Sequence, residues 1–406
     1  MKNFPSKFTF FFIVASFLIL SILLSTNIIA KAGYSDNLYG NDFTVFYAAS
    51  KNLCNFGDPY NHPIAIKTPY LYLPLFAFLL IPLAILPLPL AATIWYWLNI
   101  LFSLSVIFIS SKLVSSDLNK QIIISSLLLI ALARLILDNL LWGQVNILVT
   151  LLILFWILAK KKNLAWWGEL ALATAIAIKI TPALLAFYLV LKRRWRDLIH
   201  LIICFLILTS ISLIPLGNQS KPLLIGWFKR TILNAEGFNW AYAGNQSLRG
   251  AIERLFTSTN TESSYYLNVN YFDLSKNQTS LIFLVLAISL LSYYSYKILK
   301  QKQEIIIAEI AACCSLMLLL SNLSWKAHFI LLTIPLAILG EKTFSQSKLD
   351  RTFSIIGLLV FFLLTSLTIQ PIVGSQLHQW FETHSYYCVS AIMLFFLSLR
   401  VSSNME

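Results

Sequence analysis

An all-α polytopic membrane protein is the fold class the sequence predicts, on three observations. Hydrophobic residues fill 58% of the 406 positions and charged residues only 12%, where a soluble globular chain runs about 45–50% apolar and about 25% charged. Mean hydropathy is +0.76. Apolar runs alternate with short basic clusters along the whole chain. A water-facing surface cannot be built from this composition, which excludes a soluble enzyme, a secreted disulfide module and a disordered chain.

The elements follow in order. Lys2 and Lys7 precede an apolar run over Phe8–Ala30. Ala30-Lys31-Ala32 has the look of a signal-peptidase site, but the run is long enough to span a bilayer. It reads as an uncleaved first helix with its N-terminus in the cytoplasm. Basic clusters mark the cytoplasmic side: Lys112/Lys120, Lys160-Lys161-Lys162, Lys192-Arg193-Arg194 with Arg196, Lys297/Lys300/Lys302, Lys342/Lys348/Arg351, and Arg400. Runs between successive clusters must then cross an even number of times. Residues 122–137 and 147–159 form one pair, joined outside by 138–146. Residues 198–216 and 280–296 form another, then 305–320 with 329–339, and 353–369 with 386–399.

Two intervals need special treatment. Residues 164–191 are basic at both ends yet only long enough for two short helices, which must meet at Lys179-Ile180-Thr181-Pro182, where proline ends a helix. Residues 70–111 start outside and end inside. Their first stretch, 72–86, carries Pro74 and Pro82, and is expected to dip into the outer leaflet and return. After Pro87-Leu88-Pro89 the second stretch, 90–110, spans. The expectation is about 12 transmembrane helices with both termini cytoplasmic, in one integral membrane domain over 1–406. Its parts are a first helix at 8–30, an outer loop with the dip at 31–88, helices over 90–216, a large outer loop at 217–277 and C-terminal helices over 280–401.

The net charge of +13 is explained by loop retention, and no arginine stripe interleaved with aromatics points to nucleic acid. Cys54, Cys204, Cys313, Cys314 and Cys388 show no CxxC and no Cys/His metal spacing. No metal site or cofactor is expected.

Ionisable and amide side chains are expensive in a membrane and mark function there. With the topology set by lysine and arginine alone, Asp42, Asp58, Gln144, Asn146, Lys179, Asn245, Gln246, Arg249, Lys326 and His328 all fall at outer ends or loops, which implies one polar cavity at the outer face. Asp42 stands where a cap would sit before the helical pattern of 43–53. It is also suited to act as a general base. Asp58 reads as turn chemistry in Gly57-Asp58-Pro59-Tyr60. Arg134 and Asp138, at i,i+4, suggest an ion pair within one helix. Glu169 and Glu309 are expected to be buried partners of other polar groups. Lys179 and Arg249 are candidate phosphate contacts, and Lys229-Arg230 suit lipid headgroups. There is no phosphate-cradling glycine loop, HExxH, GxSxG or DxD-like pair.

These residues carry a resemblance. Asp42-Phe43-x-Val45-x-Tyr47-x-Ala49, then Tyr72-Leu73-Pro74-Leu75-Phe76-Ala77 running to Pro87, Gly143-Gln144-Val145-Asn146, Ile178-Lys179-Ile180-Thr181-Pro182-Ala183-Leu184-Leu185 and Gly244-Asn245-Gln246-Ser247-Leu248-Arg249-Gly250 together resemble glycosyltransferase family 87. That family holds polyprenyl-phosphate-mannose-dependent α-mannosyltransferases of the GT-C membrane fold. Leu323-Ser324-Trp325-Lys326-Ala327-His328 is a weaker sixth match, keeping one of the two histidines the family often shows. The chain also has Tyr72-Leu73-Pro74-Leu75 where the family usually has Tyr-Pro-Pro-Leu. The resemblance implies a hexosyltransferase on the outer face of a bacterial plasma membrane, moving a sugar with inversion from a polyprenyl-phosphate donor to an acceptor hydroxyl. That acceptor is a glycolipid, polysaccharide or protein. Asp42 is implied as base. Lys179, Arg249, Lys326 and His328 would stabilise the phosphate, and Gln144, Asn146, Asn245 and Gln246 would hydrogen-bond sugar or phosphate. A lipid-linked glycan polymerase or ligase and a transporter or flippase are the alternatives. The first usually relies on a loop histidine absent from 217–277, and the second needs polar groups at mid-depth or on both faces.

Overall fold

The computed structural model describes residues 6–32, 34–35, 38–39, 41–61, 69–231, 233, 240–258, 267, 269–301 and 304–403. Of the residues named above, Lys2 and Lys302 lie outside them, as do parts of the 31–88 and 217–277 loops. Among the described residues five helices are long and apolar enough to cross a membrane: Phe8–Ala30, Leu88–Val114, Leu118–Trp142, Trp195–Thr231 and Lys276–Leu299. Lys348–Thr365 and Gln370–Thr383 make a further candidate, bent by 89°. Shorter apolar helices cover Ala165–Ile178, Thr181–Leu191, Ile307–Leu320 and Tyr386–Ser402. The protein is an all-α, integral, multi-pass membrane protein. A two-residue antiparallel ladder, Tyr34–Ser35 with Leu38–Tyr39, precedes the site.

The hairpin expected over 164–191 is present. Ala165–Ile178 ends at Lys179, which is extended, and a short 3-10 turn over Thr181–Ala183 leads into Leu184–Leu191. The 72–86 stretch is broken as its prolines require, into Pro74–Leu79 and Ile81–Ala84. Buried backbone polar groups freed by a broken helix need partners within the protein. Tyrosines supply them here: the Tyr70 hydroxyl donates to Leu73 O (3.0 Å) and accepts from Ala77 N (2.9 Å), and the Tyr47 hydroxyl donates to Leu86 O (2.7 Å).

One end of the bundle gathers the basic clusters into ion pairs. Lys160 meets Glu169 and Asp197, the latter at 2.9 Å, and Arg194 meets Asp197 at 2.8 Å. Lys192 lies 2.7 Å from Glu309, which also accepts from the Tyr188 hydroxyl. Glu169 and Glu309 are thus the buried partners the sequence suggested. All five cysteines are free thiols.

Candidate active site

The site forms where five loops converge at the opposite end. The helix Asp42–Cys54 starts it. Its cap is Asn41, not Asp42. The Asn41 side chain accepts from Thr44 N, while the Asn41 N–H donates to Thr44 Oγ1 at 3.1 Å. Asp42 is therefore the first helical residue, and its carboxylate is free to face elsewhere. That corrects the capping position read from the sequence. Asn and Asp cap equally well, so the choice between neighbours lay in tertiary packing.

Asp42 faces Gln144. The helix Leu118–Trp142 is closed by Gly143 at φ 61°, the left-handed cap geometry that favours glycine. Packing demands glycine as well, since a Cβ there would lie 2.7 Å from Phe43 Cβ. Trp95 Nε1 donates to Gly143 O at 2.9 Å. This close approach delivers Gln144 to Asp42, and Gln144 Nε2 donates to Asp42 Oδ2. Asn146 Nδ2 donates to Gln144 Oε1 (3.2 Å), and Lys179 Nζ donates to Asn146 Oδ1 (2.6 Å). Two amides thus link a carboxylate to an ammonium in one hydrogen-bonded chain.

Asn139 anchors the chain from below. It accepts from Asn146 Nδ2 at 3.2 Å and donates to Ala327 O at 2.9 Å, tying in the turn that carries Lys326 and His328. Nothing in the sequence marked Asn139, which follows Asp138 in the same helix. A cavity beside Lys179 is lined by Asn146, Thr181, Ser321, Ser324 and His328, with Met317, Leu318 and Leu331 as its apolar wall. On the Asp42 side the aromatic wall is Phe46, Tyr72 and Phe76, with ring centroids 4.9–5.6 Å apart.

Electrostatics suit acid–base chemistry. Burial pushes the Asp42 carboxyl up to about 6, against the opposing pull of the Lys179 charge and the Gln144 hydrogen bond. Burial and the same lysine hold the His328 imidazole well below its ordinary range, so it is neutral at pH 7.

The other predicted residues are not in this chain. Asn245 accepts from Ser324 N and Ser247 N (both 3.1 Å) and donates to Asn322 O (3.0 Å). Gln246 donates to Ala243 O and Glu382 O, both at 2.9 Å. Both are fully buried and bind loop to loop. Arg249 meets Glu253 (3.2 Å) and Asn322 (3.1 Å) and stacks over Trp240. Lys326 meets Glu382. Arg134 does not form the expected pair with Asp138. It reaches Glu382 at 3.6 Å and donates to Thr365 O at 2.7 Å, because a partner far along the chain packs across its helix.

A helical membrane bundle with a carboxylate and a lysine linked at one end defines a polytopic membrane protein with a buried polar site. The chain belongs to glycosyltransferase family 87, whose model matches residues 70–322, more than half of it. The match begins after Asp42. Two curated relatives are similar to this chain. The polyprenol-phosphate-mannose-dependent α-(1-2)-phosphatidylinositol pentamannoside mannosyltransferase of Mycobacterium tuberculosis (strain CDC 1551 / Oshkosh) is 28% identical over 229 residues, covering 53% of this chain and 50% of that one. Its namesake from Mycolicibacterium smegmatis (strain ATCC 700084 / mc(2)155) is 25% identical over 221 residues, 53% and 52% respectively. The chain spans about half the length of the curated relatives it matches.

Proposed function

We propose that the protein is a membrane hexosyltransferase that moves mannose from a polyprenol-phosphate donor to a hydroxyl of a glycolipid acceptor, on the outer face of the membrane and with inversion. Family membership supports the reaction class, and the relatives' printed names support the donor and a glycolipid acceptor. The observation that carries the reading is the Asp42–Gln144–Asn146–Lys179 chain.

The chemistry follows from what it separates. An acceptor hydroxyl attacks the anomeric carbon while its proton passes to the Asp42 carboxylate. A base whose pKa lies just below the working pH is near its optimum for this. The bond from that carbon to the phosphate oxygen breaks, and its electron pair leaves with the polyprenyl phosphate. The new phosphate charge needs fixed cations more than a proton, and Lys179 supplies one. Neutral His328 and the hydroxyls of Thr181, Ser321 and Ser324 line the adjoining cavity and hydrogen-bond phosphate or sugar. Gln144 and Asn146 hold base and cation apart, so that the sugar sits between them. Lys326 completes the cationic rim. Arg249, Asn245 and Gln246 hold the 245–250 segment against 322–324, shaping the cavity wall. The aromatic wall and the broken helices over 74–84 take the lipid side of the donor.

The test is a transfer assay. Purified wild type and Asp42→Asn are incubated in nanodiscs with radiolabelled polyprenol-phosphate-mannose and a glycolipid extract. Label entering a new lipid with wild type alone supports the reading. Donor bound but no transfer by either protein would remove the proposed acceptor. No donor binding would remove the proposed reaction and favour a transporter.

A further inference from the structure

Beyond the Asp42–Lys179 hydrogen-bonded chain lies a second group of charged side chains, of which the reaction above uses only Lys326. Glu382 is fully buried at the C-terminal end of the bent helix Gln370–Thr383. Its Oε1 meets Lys326 Nζ, His378 Nε2 at 3.5 Å and Arg134 Nη2 at 3.6 Å, and accepts from the Tyr386 hydroxyl at 3.3 Å. The side chain of Lys326 keeps 22% of its surface exposed, against 1% for Glu382. The carboxylate is therefore the hidden half of the pair and the ammonium the accessible half.

The surroundings make this a junction. The Glu382 carbonyl accepts from Gln246 Nε2 (2.9 Å). The next residue's carbonyl, Thr383 O, accepts from Arg254 Nε (2.8 Å). Ala327, beside Lys326, is bound by Asn139, which holds the Asp42–Lys179 chain. Glu382 thus stands where the bent helix, the 245–254 segment and the Lys326–His328 turn meet.

We propose that Glu382 is a positioning residue, which fixes the ammonium of Lys326, two residues before the cavity-lining His328, for contact with the donor phosphate. This rests on the donor assignment under Proposed function. A lysine stem is long and rotatable, and an exposed one samples many rotamers. A buried counterion selects the one in which the ammonium lies against Glu382 Oε1. The position lies outside the family match, and the fold brings it to the site.

The test is a double-mutant cycle on the full-length protein in nanodiscs. Affinity for polyprenol-phosphate-mannose and steady-state transfer are measured for wild type, Lys326→Met, Glu382→Gln and the double variant. Each single change is expected to weaken donor affinity by about tenfold, with a smaller change in kcat. The double variant is expected to be no worse than Lys326→Met alone, because positioning has no value without the group positioned. Additive losses would overturn the proposal, as would an unchanged affinity in Glu382→Gln with only a lowered melting temperature. If Glu382→Gln does not fold, Glu382→Asp is used; it keeps the charge but draws back the carboxylate, and an unchanged donor affinity there overturns the proposal too. A wild type that binds no donor would instead sink the donor assignment itself, and a loss in Lys326→Met without one in Glu382→Gln would sink only the role of Glu382.

Discussion

At one end of the bundle lysines touch their carboxylates directly: Lys192 with Glu309 at 2.7 Å and Lys160 with Asp197 at 2.9 Å. At the other end Lys179 and Asp42 are kept apart by Gln144 and Asn146. The contrast separates two uses of charge in an apolar protein. A charge paired directly and buried on both sides is spent on its partner and locks the helices that carry it, whereas Lys326, paired with Glu382, keeps 22% of its side chain exposed. A charge satisfied by neutral amides keeps its own reactivity, because an amide leaves room for a substrate to compete. The same composition thus makes a clamp at one end and a site at the other.

Four measurements would break or sharpen that contrast, taken from the largest effect to the smallest. Asp42→Asn removes the proposed base, and transfer is expected to fall by about 10²–10⁴-fold with donor affinity within a few fold; a rate near wild type would mean that Asp42 is not the base. Lys192→Met strands Glu309, and a buried pair broken on one side costs about 3–5 kcal/mol. Thermal unfolding should show the loss, with turnover per folded molecule retained. Loss of turnover in folded Lys192→Met would erase the distinction between the ends. Lys179→Met removes one charge-assisted contact worth about 1.5–3 kcal/mol, so donor affinity should drop by about 10–100-fold, read by binding in nanodiscs. The finest test is pH. Asp42 must be ionised to accept a proton, and Lys179, which burial holds down to about 7, must keep its proton to act as a cation, so transfer should fall above about 7 and, on the acid side, reach half its maximum near Asp42's raised value of about 6. Because the Lys179 charge holds that value down, Lys179→Gln should move the midpoint upward. A midpoint that stays put would show that the two groups are not coupled.

Much of this was legible in the sequence, for reasons that can be named. Pro182 in a stretch too short for two full spans gave the broken hairpin that presents Lys179. The convergence of Asp42, Gln144, Asn146 and Lys179 followed from basic residues alone, since polar groups in lipid have few places to go. What was not legible is long-range. Asn139 looks like any polar residue inside a helix until Asn146 and Ala327 meet it. Glu382 lies about 250 positions from Arg134, so the local i,i+4 rule pointed to Asp138 instead. The same rule would have found Arg249 with Glu253, a pairing overlooked in favour of phosphate. Asn41 and Asp42 are chemically equal as caps, and the partner that takes Asp42, Gln144, lies 102 positions along the chain.

The tyrosines over the broken segment carry a consequence for how such chains are compared. Two phenol oxygens close the backbone of residues 73–86. A change of Tyr47 or Tyr70 to phenylalanine keeps the aromatic bulk and leaves almost every similarity score unmoved. Buried away from water, however, each orphaned backbone group costs about 1–3 kcal/mol. Two atoms out of the whole chain therefore divide a homologue that can hold the short helices from one that cannot, and those atoms are worth checking before any other.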